Sequence, residues 1–295
     1  MADYSMEKHP EGLLIRGLRD FSLREILDCG QCFRWLPVDG DESRWSGIAF
    51  GKRLTICKLS EEDFLFCGCN EQEFNEIWTP YFDLNTDYGQ LKIALQGDPI
   101  MAEAISYAPG IRVLRQDGWE TLCTFIISQN NNIKRIRGIV ERLCEYFGEA
   151  IDGGYDFPTA ERMAQLTLED LAPLRSGFRA KYLLDAAKKV ADGTVNLSAI
   201  ASMSYADAQA HLRQINGVGP KVADCALLFG FYRLDAFPLD VWMKRVMAVL
   251  YPHGLPETVL PYRGIAQQYL FHYGRMHPEL FDAENNTKTH AKSTK

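Results

Sequence analysis

The sequence predicts an α+β protein, with an N-terminal antiparallel β-sheet domain packed on an all-helical domain. Three observations predict it. Residues 12–70 break into short β-prone runs separated by turn formers. From about residue 88 the apolar residues recur at helical spacing. Finally, Asn216–Gly217–Val218–Gly219 interrupts a helical run that restarts at once on Pro220, in the first-turn position proline tolerates.

The strands expected in order are Leu13–Ile15, Phe33–Leu36, Trp45–Phe50, Arg53–Lys58 and Phe64–Cys67. Asp39–Gly40–Asp41 and Gly51–Lys52 supply turns between them. Residues 1–11 are polar and mixed in charge, and no element is expected there. Residues 71–82 read as a helix ending near Thr79–Pro80. Further helices are expected over Trp119–Ser128, Ile133–Phe147 (stopped by Gly148), Ala180–Val190, Tyr205–Ile215, Pro220–Phe231, Val241–Leu250 and Tyr262–Arg275. The division expected is 1–88 for the sheet domain and 89–283 for the helical domain, with a disordered tail over 284–295.

The composition is that of a globular chain, with 46% apolar and 24% charged residues. No apolar run approaches the length that crosses a bilayer, and no signal pattern opens the chain, so no membrane partner is expected. Eight cysteines spread over 295 residues do not form a disulfide framework, which points to a reduced, intracellular setting. A net charge of −7 argues against a generic DNA binder. Its distribution changes that reading. Residues 1–110 carry 10 basic and 19 acidic residues, whereas 111–295 carry 22 and 20. Basic clusters (Lys134, Arg135, Arg137; Arg175, Arg179, Lys181; Lys244, Arg245) can give a local positive face. Ordinary solvated lysines and arginines would produce such clusters too.

The hairpin carries the chemistry. Two short helices joined by Gly217–Val218–Gly219 aim backbone N–H groups and a helix N-terminus at one point, which suits a DNA phosphate. Lys221 follows directly. The positive end of the helix dipole disfavours a charged ammonium there, and an amine nucleophile must be uncharged. Asp240, after Pro238–Leu239, is a natural N-cap held ionised by backbone amides. A helix over 220–231 runs ~17 Å, and the eight-residue return to Leu239 spans up to ~26 Å. The spacing therefore permits Asp240 to lie beside Lys221. Taken singly, each has an ordinary reading as an exposed lysine or a plain cap. Together, behind the hairpin, they suggest chemistry on a nucleic-acid sugar.

Asn216–Gly–Val–Gly–Pro–Lys–Val–Ala–Asp–Cys225 with Pro238–Leu–Asp–Val241 resembles the helix-hairpin-helix, Gly/Pro-Asp loop superfamily of DNA glycosylases. Cys29–Gly–Gln–Cys–Phe–Arg–Trp35, Ile127–Ser–Gln–Asn–Asn–Asn–Ile–Lys–Arg–Ile136 and Ala266–Gln–Gln–Tyr–Leu–Phe271 narrow the likeness to the 8-oxoguanine DNA glycosylase/AP lyase family. The resemblance runs from about residue 12 to 275. It implies that Lys221 attacks C1′ of the damaged nucleotide and that Asp240 stabilises the charge developing on the sugar. Gly30 would offer its carbonyl to N7–H of the flipped base. Cys225 and Phe271 would stack on its two sides, and Gln267 would read its Watson–Crick edge. Asn130 would fill the gap left in the duplex, Arg135 and Arg179 would donate to the orphaned cytosine, and Phe178 would wedge beside it. The amides of Gly217, Val218 and Gly219 would hold phosphate. The implied partner is double-stranded DNA containing oxidised guanine, bound by a monomer in nucleoid or nucleus. No cofactor and no catalytic metal are implied, although hairpin carbonyls in the family often hold a structural cation. Departures exist: Trp242 stands where animal enzymes carry a phosphate-contacting histidine, Cys32 replaces a common serine, and Phe178 a common tyrosine.

Cys29-x-x-Cys32 and Cys67-x-Cys69 are too loosely related for a zinc site. No cysteine follows Cys225, against the iron–sulfur relatives. Lys221 argues against a monofunctional alkylbase glycosylase. A same-fold glycosylase with another base preference, and a non-catalytic helix-hairpin-helix DNA-binding module, remain as alternatives.

Overall fold

The computed structural model describes residues 4–281, and the tail expected over 284–295 lies outside them. Strands β1 (Ser5–His9), β2 (Gly12–Arg16), β3 (Trp35–Val38), β4 (Asp41–Ala49), β5 (Lys52–Lys58) and β6 (Phe64–Cys67) form one antiparallel sheet of order β1-β2-β6-β5-β4-β3. Leu13 opposes Phe66, Ile15 opposes Phe64 and Ile56 opposes Phe66, so these side chains share one buried face. Against it pack Phe74, Trp78 and Phe82. Phe74 and Trp78 belong to a π turn (Phe74–Trp78) set between α2 (Glu71–Glu73) and α3 (Thr79–Tyr81), and Phe82 follows α3; α1 (Leu23–Leu27) lies earlier in the chain.

The helical part comprises α4 (Tyr88–Leu95), α5 (Pro99–Tyr107), α6 (Gly118–Ser128), α7 (Ile133–Phe147), α8 (Ala160–Ala164), α9 (Arg179–Ala191), α10 (Tyr205–Leu212), α11 (Pro220–Gly230), α12 (Val241–Leu250) and α13 (Arg263–Met276). A two-strand hairpin, β7 (Ala150–Ile151) and β8 (Gly154–Tyr155), interrupts it. Helices α6 and α11 are buried over Thr121–Ile127 and Val222–Phe229 and pack on each other. Phe125 stacks on Phe229 at 5.5 Å. This pairing brings the C-terminal end of α6 beside the N-terminal end of α11.

The two halves are zipped through polar side chains. Arg112, 4% exposed, donates to the carbonyls of Asp20 (2.7 Å) and Asp83 (2.9 Å) and lies over the Tyr88 ring. Gln31 donates to the carbonyls of Ile26 (2.9 Å) and Arg112 (2.8 Å) and accepts from the Leu114 amide (2.9 Å). Both donors and one of the two acceptor positions of that buried amide are used, so neither its nitrogen nor its oxygen is left without a partner.

Four expectations are corrected. β1 exists although its residues are polar, because it is an outer strand with exposed side chains held by its backbone. The strand expected at Phe33–Leu36 is Trp35–Val38, since Phe33 packs into the helical core. The helix after Asn70 does not stop near Thr79–Pro80. The π turn lets Pro80 sit in the first positions of α3, where its missing N–H costs little; α3 runs on to Tyr81, and Asp83 behind it turns the chain in the left-handed region at φ +54. The helix expected over Tyr205–Ile215 ends at Leu212, and tight turns carry the chain to the hairpin.

Candidate active site

Gly217 closes the hairpin at φ +82, and a Cβ there would lie 2.4 Å from the Tyr182 ring. Only glycine fits that position. Asp185 on α9 clamps the approach: it accepts from the Asn216 backbone amide (2.7 Å) and side-chain amide (2.9 Å). Lys189 balances the carboxylate at 2.9 Å. The Val218 amide is used internally, donating to the Ile215 carbonyl at 3.0 Å. The amides of Gly217 and Gly219 have no hydrogen-bond partner among the described residues. Helices α4 to α7 are capped by Asp87, Asp98, Asp117 and Asn132. Helix α11 instead starts on Gly219, with no side chain on its first amides. An uncapped, glycine-led helix start can accept an anion.

Lys221 sits in the first turn of α11, half-buried, with its ammonium 3.5 Å from Ser128 Oγ and over the Phe125 ring at 5.1 Å. Ser128 in turn donates to the Phe125 carbonyl. Asp240 caps α12, its Oδ1 accepting from the Met243 amide at 2.7 Å. Cys225 lies one turn after Lys221 and is 3% exposed. Burial pushes its thiol up to about 11; Lys221 pulls it down and Asp240 pushes it up. The thiol thus lies in the field of both charged groups.

Gly30 has φ +86, and its side-chain position faces the Phe271 ring at 3.3 Å. Arg275 stacks on the other partner of this contact, 5.6 Å from the Phe271 centroid. Gln267, 3% exposed, donates to the Pro238 carbonyl at 3.4 Å, just ahead of Asp240. Gly30 and Phe271 are therefore in contact, and Gln267 is joined to the loop that carries Asp240.

The remaining candidates gather after α6. Asn130 is exposed in the left-handed region at φ +47, which asparagine tolerates. Arg135 is exposed and donates to the Arg175 carbonyl at 3.2 Å. Arg179, 2% exposed, donates through Nε and Nη2 to the Gln129 carbonyl, through Nη2 to Asn130 (2.9 Å) and through Nη1 to Ser176 (3.1 Å). Burial, and then Arg135, lower its pKa. That set leaves one of its five N–H groups for a ligand. Phe178, 47% exposed, lies under the Arg179 guanidinium at 4.4 Å and edge-on to Tyr182. Through Tyr182, the exposed ring is tied to the Gly217 hairpin.

Trp242 is exposed beside Asp240 and packs edge-on to Phe281 at 6.0 Å. Cys32 is buried, its thiol pushed well up by burial. Among the described residues no three His, Cys, Asp or Glu converge on a metal-holding site. No helix among them is long and apolar enough to cross a membrane. Sequence reasoning missed Ser128, Asp185, Gln31 and Gln268. All four act through partners distant along the chain, and only the adjacency of Gln268 to Gln267 gave a local signal.

Comparison with known proteins places this geometry. Residues 14–122 match the N-terminal domain family of 8-oxoguanine DNA glycosylase, and 123–258 match the HhH-GPD superfamily of base excision DNA repair proteins. The N-glycosylase/DNA lyase of Saccharomyces cerevisiae is 32% identical over 264 residues, covering 80% of this chain and 69% of its own. Among solved structures, the Clostridium acetobutylicum 8-oxoguanine glycosylase/lyase, bound to double-stranded DNA with cytosine opposite 8-oxoguanine, superimposes with TM-score 0.86. It is 37% identical, over 94% of this chain and all of that one. MBOgg1, in complex with a low-affinity DNA ligand, gives TM-score 0.86 at 41% identity, over 94% of this chain and 99% of its own.

Proposed function

The chain belongs to the 8-oxoguanine DNA glycosylase family, bifunctional N-glycosylases and DNA lyases of base excision repair, and we propose that Lys221 carries both of its steps through a Schiff base, on 8-oxoguanine set opposite cytosine in duplex DNA. The observation that supports this reading is the buried Cys225 thiol, one helical turn after Lys221 on α11, which Lys221 pulls down and Asp240 pushes up. Amine and carboxylate thus both act on one buried group.

The free amine of Lys221 attacks C1′ and forms the N–C1′ bond as the bond from C1′ to the base nitrogen breaks. The base leaves with that electron pair and takes a proton. Asp240 steadies the positive charge on the sugar in a partly water-excluded site. The ammonium formed at nitrogen loses a proton, and its restored lone pair then expels O4′, which takes up a proton, opening the sugar ring to a protonated Schiff base. Removal of a proton from C2′ expels the 3′ phosphate by β-elimination. Water hydrolyses the Schiff base and frees Lys221.

Gly217 and Gly219 amides, at the uncapped start of α11, would grip the backbone phosphate. Gly30, Cys225, Gln267 and Phe271 would hold the flipped base, and Asn130, Arg135, Phe178 and Arg179 the gap and the cytosine. The enzyme would act as a monomer, wherever the cell keeps its DNA. Borohydride reduction tests the central step. Wild-type protein should form a covalent adduct on an 8-oxoguanine:cytosine duplex, and Lys221→Gln should form none. An adduct with Lys221→Gln would remove Lys221 from the mechanism. A protein that binds the duplex and never forms an adduct would be a helix-hairpin-helix binding module instead.

A further inference from the structure

Behind the proposed base pocket runs a buried chain of hydrogen bonds with one direction. The Cys29 thiol, beside Gly30, shares its one proton between Gln268 Oε1 at 3.2 Å and the Ile26 carbonyl at 3.3 Å. Gln268 Nε2 donates to Gln267 Oε1 at 2.9 Å. Gln267 Nε2 donates to the Pro238 carbonyl at 3.4 Å. Gln268 is 2% exposed and Cys29 1%. An amide is nearly symmetric in shape, so its oxygen and nitrogen can exchange places unless neighbours forbid it. Here a donor sits at the oxygen and an acceptor at the nitrogen of Gln267. The donor contact from Gln268 is the shorter of the two and is itself oriented by Cys29.

We propose that Gln268 is a positioning residue that locks the Gln267 amide in one orientation and thereby selects a guanine-type base edge over an adenine-type edge. This rests on the base-pocket reading above. The locked amide keeps one lone pair on Oε1 for a base N1–H and one Nε2 proton for a base carbonyl. A guanine-type edge offers that pairing. An adenine-type edge offers an N1 acceptor and an exocyclic donor, and it suits the flipped amide. Guanine and 8-oxoguanine share this edge, so the lock sets the base class, and recognition of oxidation lies with Gly30.

The test is single-turnover excision from duplexes carrying 8-oxoguanine or 8-oxoadenine, each opposite cytosine. Gln268→Met keeps the volume and removes the lock. It should slow 8-oxoguanine excision about tenfold, the scale of one buried hydrogen bond, and narrow the ratio between the two lesions by at least that factor. In a Gln267→Ala background the same substitution should leave the ratio where Gln267→Ala put it, which a merely structural role would not do. Nicking of a preformed abasic duplex reports that each variant is folded. Should Gln268→Met fail to nick, Cys29→Ala, which frees the far end of the chain, should narrow the ratio in the same direction. If Gln267→Ala collapses the ratio while the Gln268 and Cys29 variants keep it, the lock is refuted and the pocket stands. If Gln267→Ala itself leaves the ratio unchanged, the pocket reading falls and this inference with it.

Discussion

Asp240 has two separable jobs, and the substitution to asparagine divides them. Its Oδ1 caps α12 through the Met243 amide at 2.7 Å. Asparagine presents the same oxygen and caps about as well. The structural cost of Asp240→Asn is then the charge–dipole interaction alone, about 0.3–1 kcal/mol. At about 2–4 °C per kcal/mol for a chain of this size, Tm should fall by about 1–4 °C. Asp240→Ala also loses the cap, for about 1 kcal/mol more. Catalysis follows a different rule. Both variants lose the negative charge beside the reacting sugar, so both should excise 8-oxoguanine about 10²–10³-fold more slowly. Asp240 also pushes the Cys225 thiol up, so in either variant that thiol should titrate lower than in wild type. The assay pairs single-turnover excision with thermal denaturation and thiol alkylation against pH. If Asp240→Asn excises within about threefold of wild type while Asp240→Ala does not, the cap is what the reaction needs, and the electrostatic role is refuted.

Gly217→Ala must place a methyl against the Tyr182 ring at a positive φ. It should weaken duplex binding about tenfold, read by fluorescence anisotropy, while adduct formation survives at saturating DNA. Phe178→Ala removes an exposed ring and should leave Tm unchanged while reducing the preference for cytosine in an opposite-base panel. Arg179→Lys should not restore what Arg179→Ala loses, because the Gln129, Asn130 and Ser176 carbonyls are met by three different nitrogens of the planar guanidinium, a spread that a single ammonium nitrogen does not reproduce; both variants should melt lower. Glu120 is pushed up to about 7 by burial, against the pull of Arg34 at 3.1 Å. The Arg34 guanidinium stays charged throughout, so the carboxyl carries the titration. The folded state holds that proton more tightly than the unfolded chain, so stability should fall as pH rises from about 4.5 through about 7. Glu120→Gln should flatten that part of a Tm–pH profile, and an unchanged slope would dismiss Glu120 as its source.

What the sequence made legible was whatever a local rule governs. Short β-prone runs between turn formers placed β4, β5 and β6 within a few residues, and period-3.6 runs placed α6, α7, α9, α11 and α12. The hairpin was legible because Gly217 and Gly219 break a helix that Pro220 restarts. β1 was not, because an edge strand with exposed side chains has no apolar alternation to read. The π turn at Phe74–Trp78 was not, because a single extra residue per turn leaves the apolar spacing nearly unchanged.

The candidate site divides the same way. Lys221, Asp240 and the glycines carry helix-start and turn signals in their own neighbourhoods. Ser128, Asp185, Gln31 and Gln268 have chemistry only in company, with partners far off along the chain. Gln31 and Gln268 are buried and Ser128 and Asp185 half-buried, each met by a specific donor or acceptor, and one-dimensional periodicity does not encode such pairings. The consequence is physical. Gly30 enters from the sheet side on a segment pinned by Cys29 and Gln31, whereas Gln267 and Phe271 enter on α13. The placement of Gly30 against Phe271 to a few tenths of an ångström therefore depends on buried hydrogen bonds between the halves. Damage to Gln31, which is 1% exposed and ties the Gly30 segment to Arg112 and Leu114 of the helical half, should act on base recognition before it acts on the amine chemistry, because Lys221 and Asp240 are both seated within the helical half.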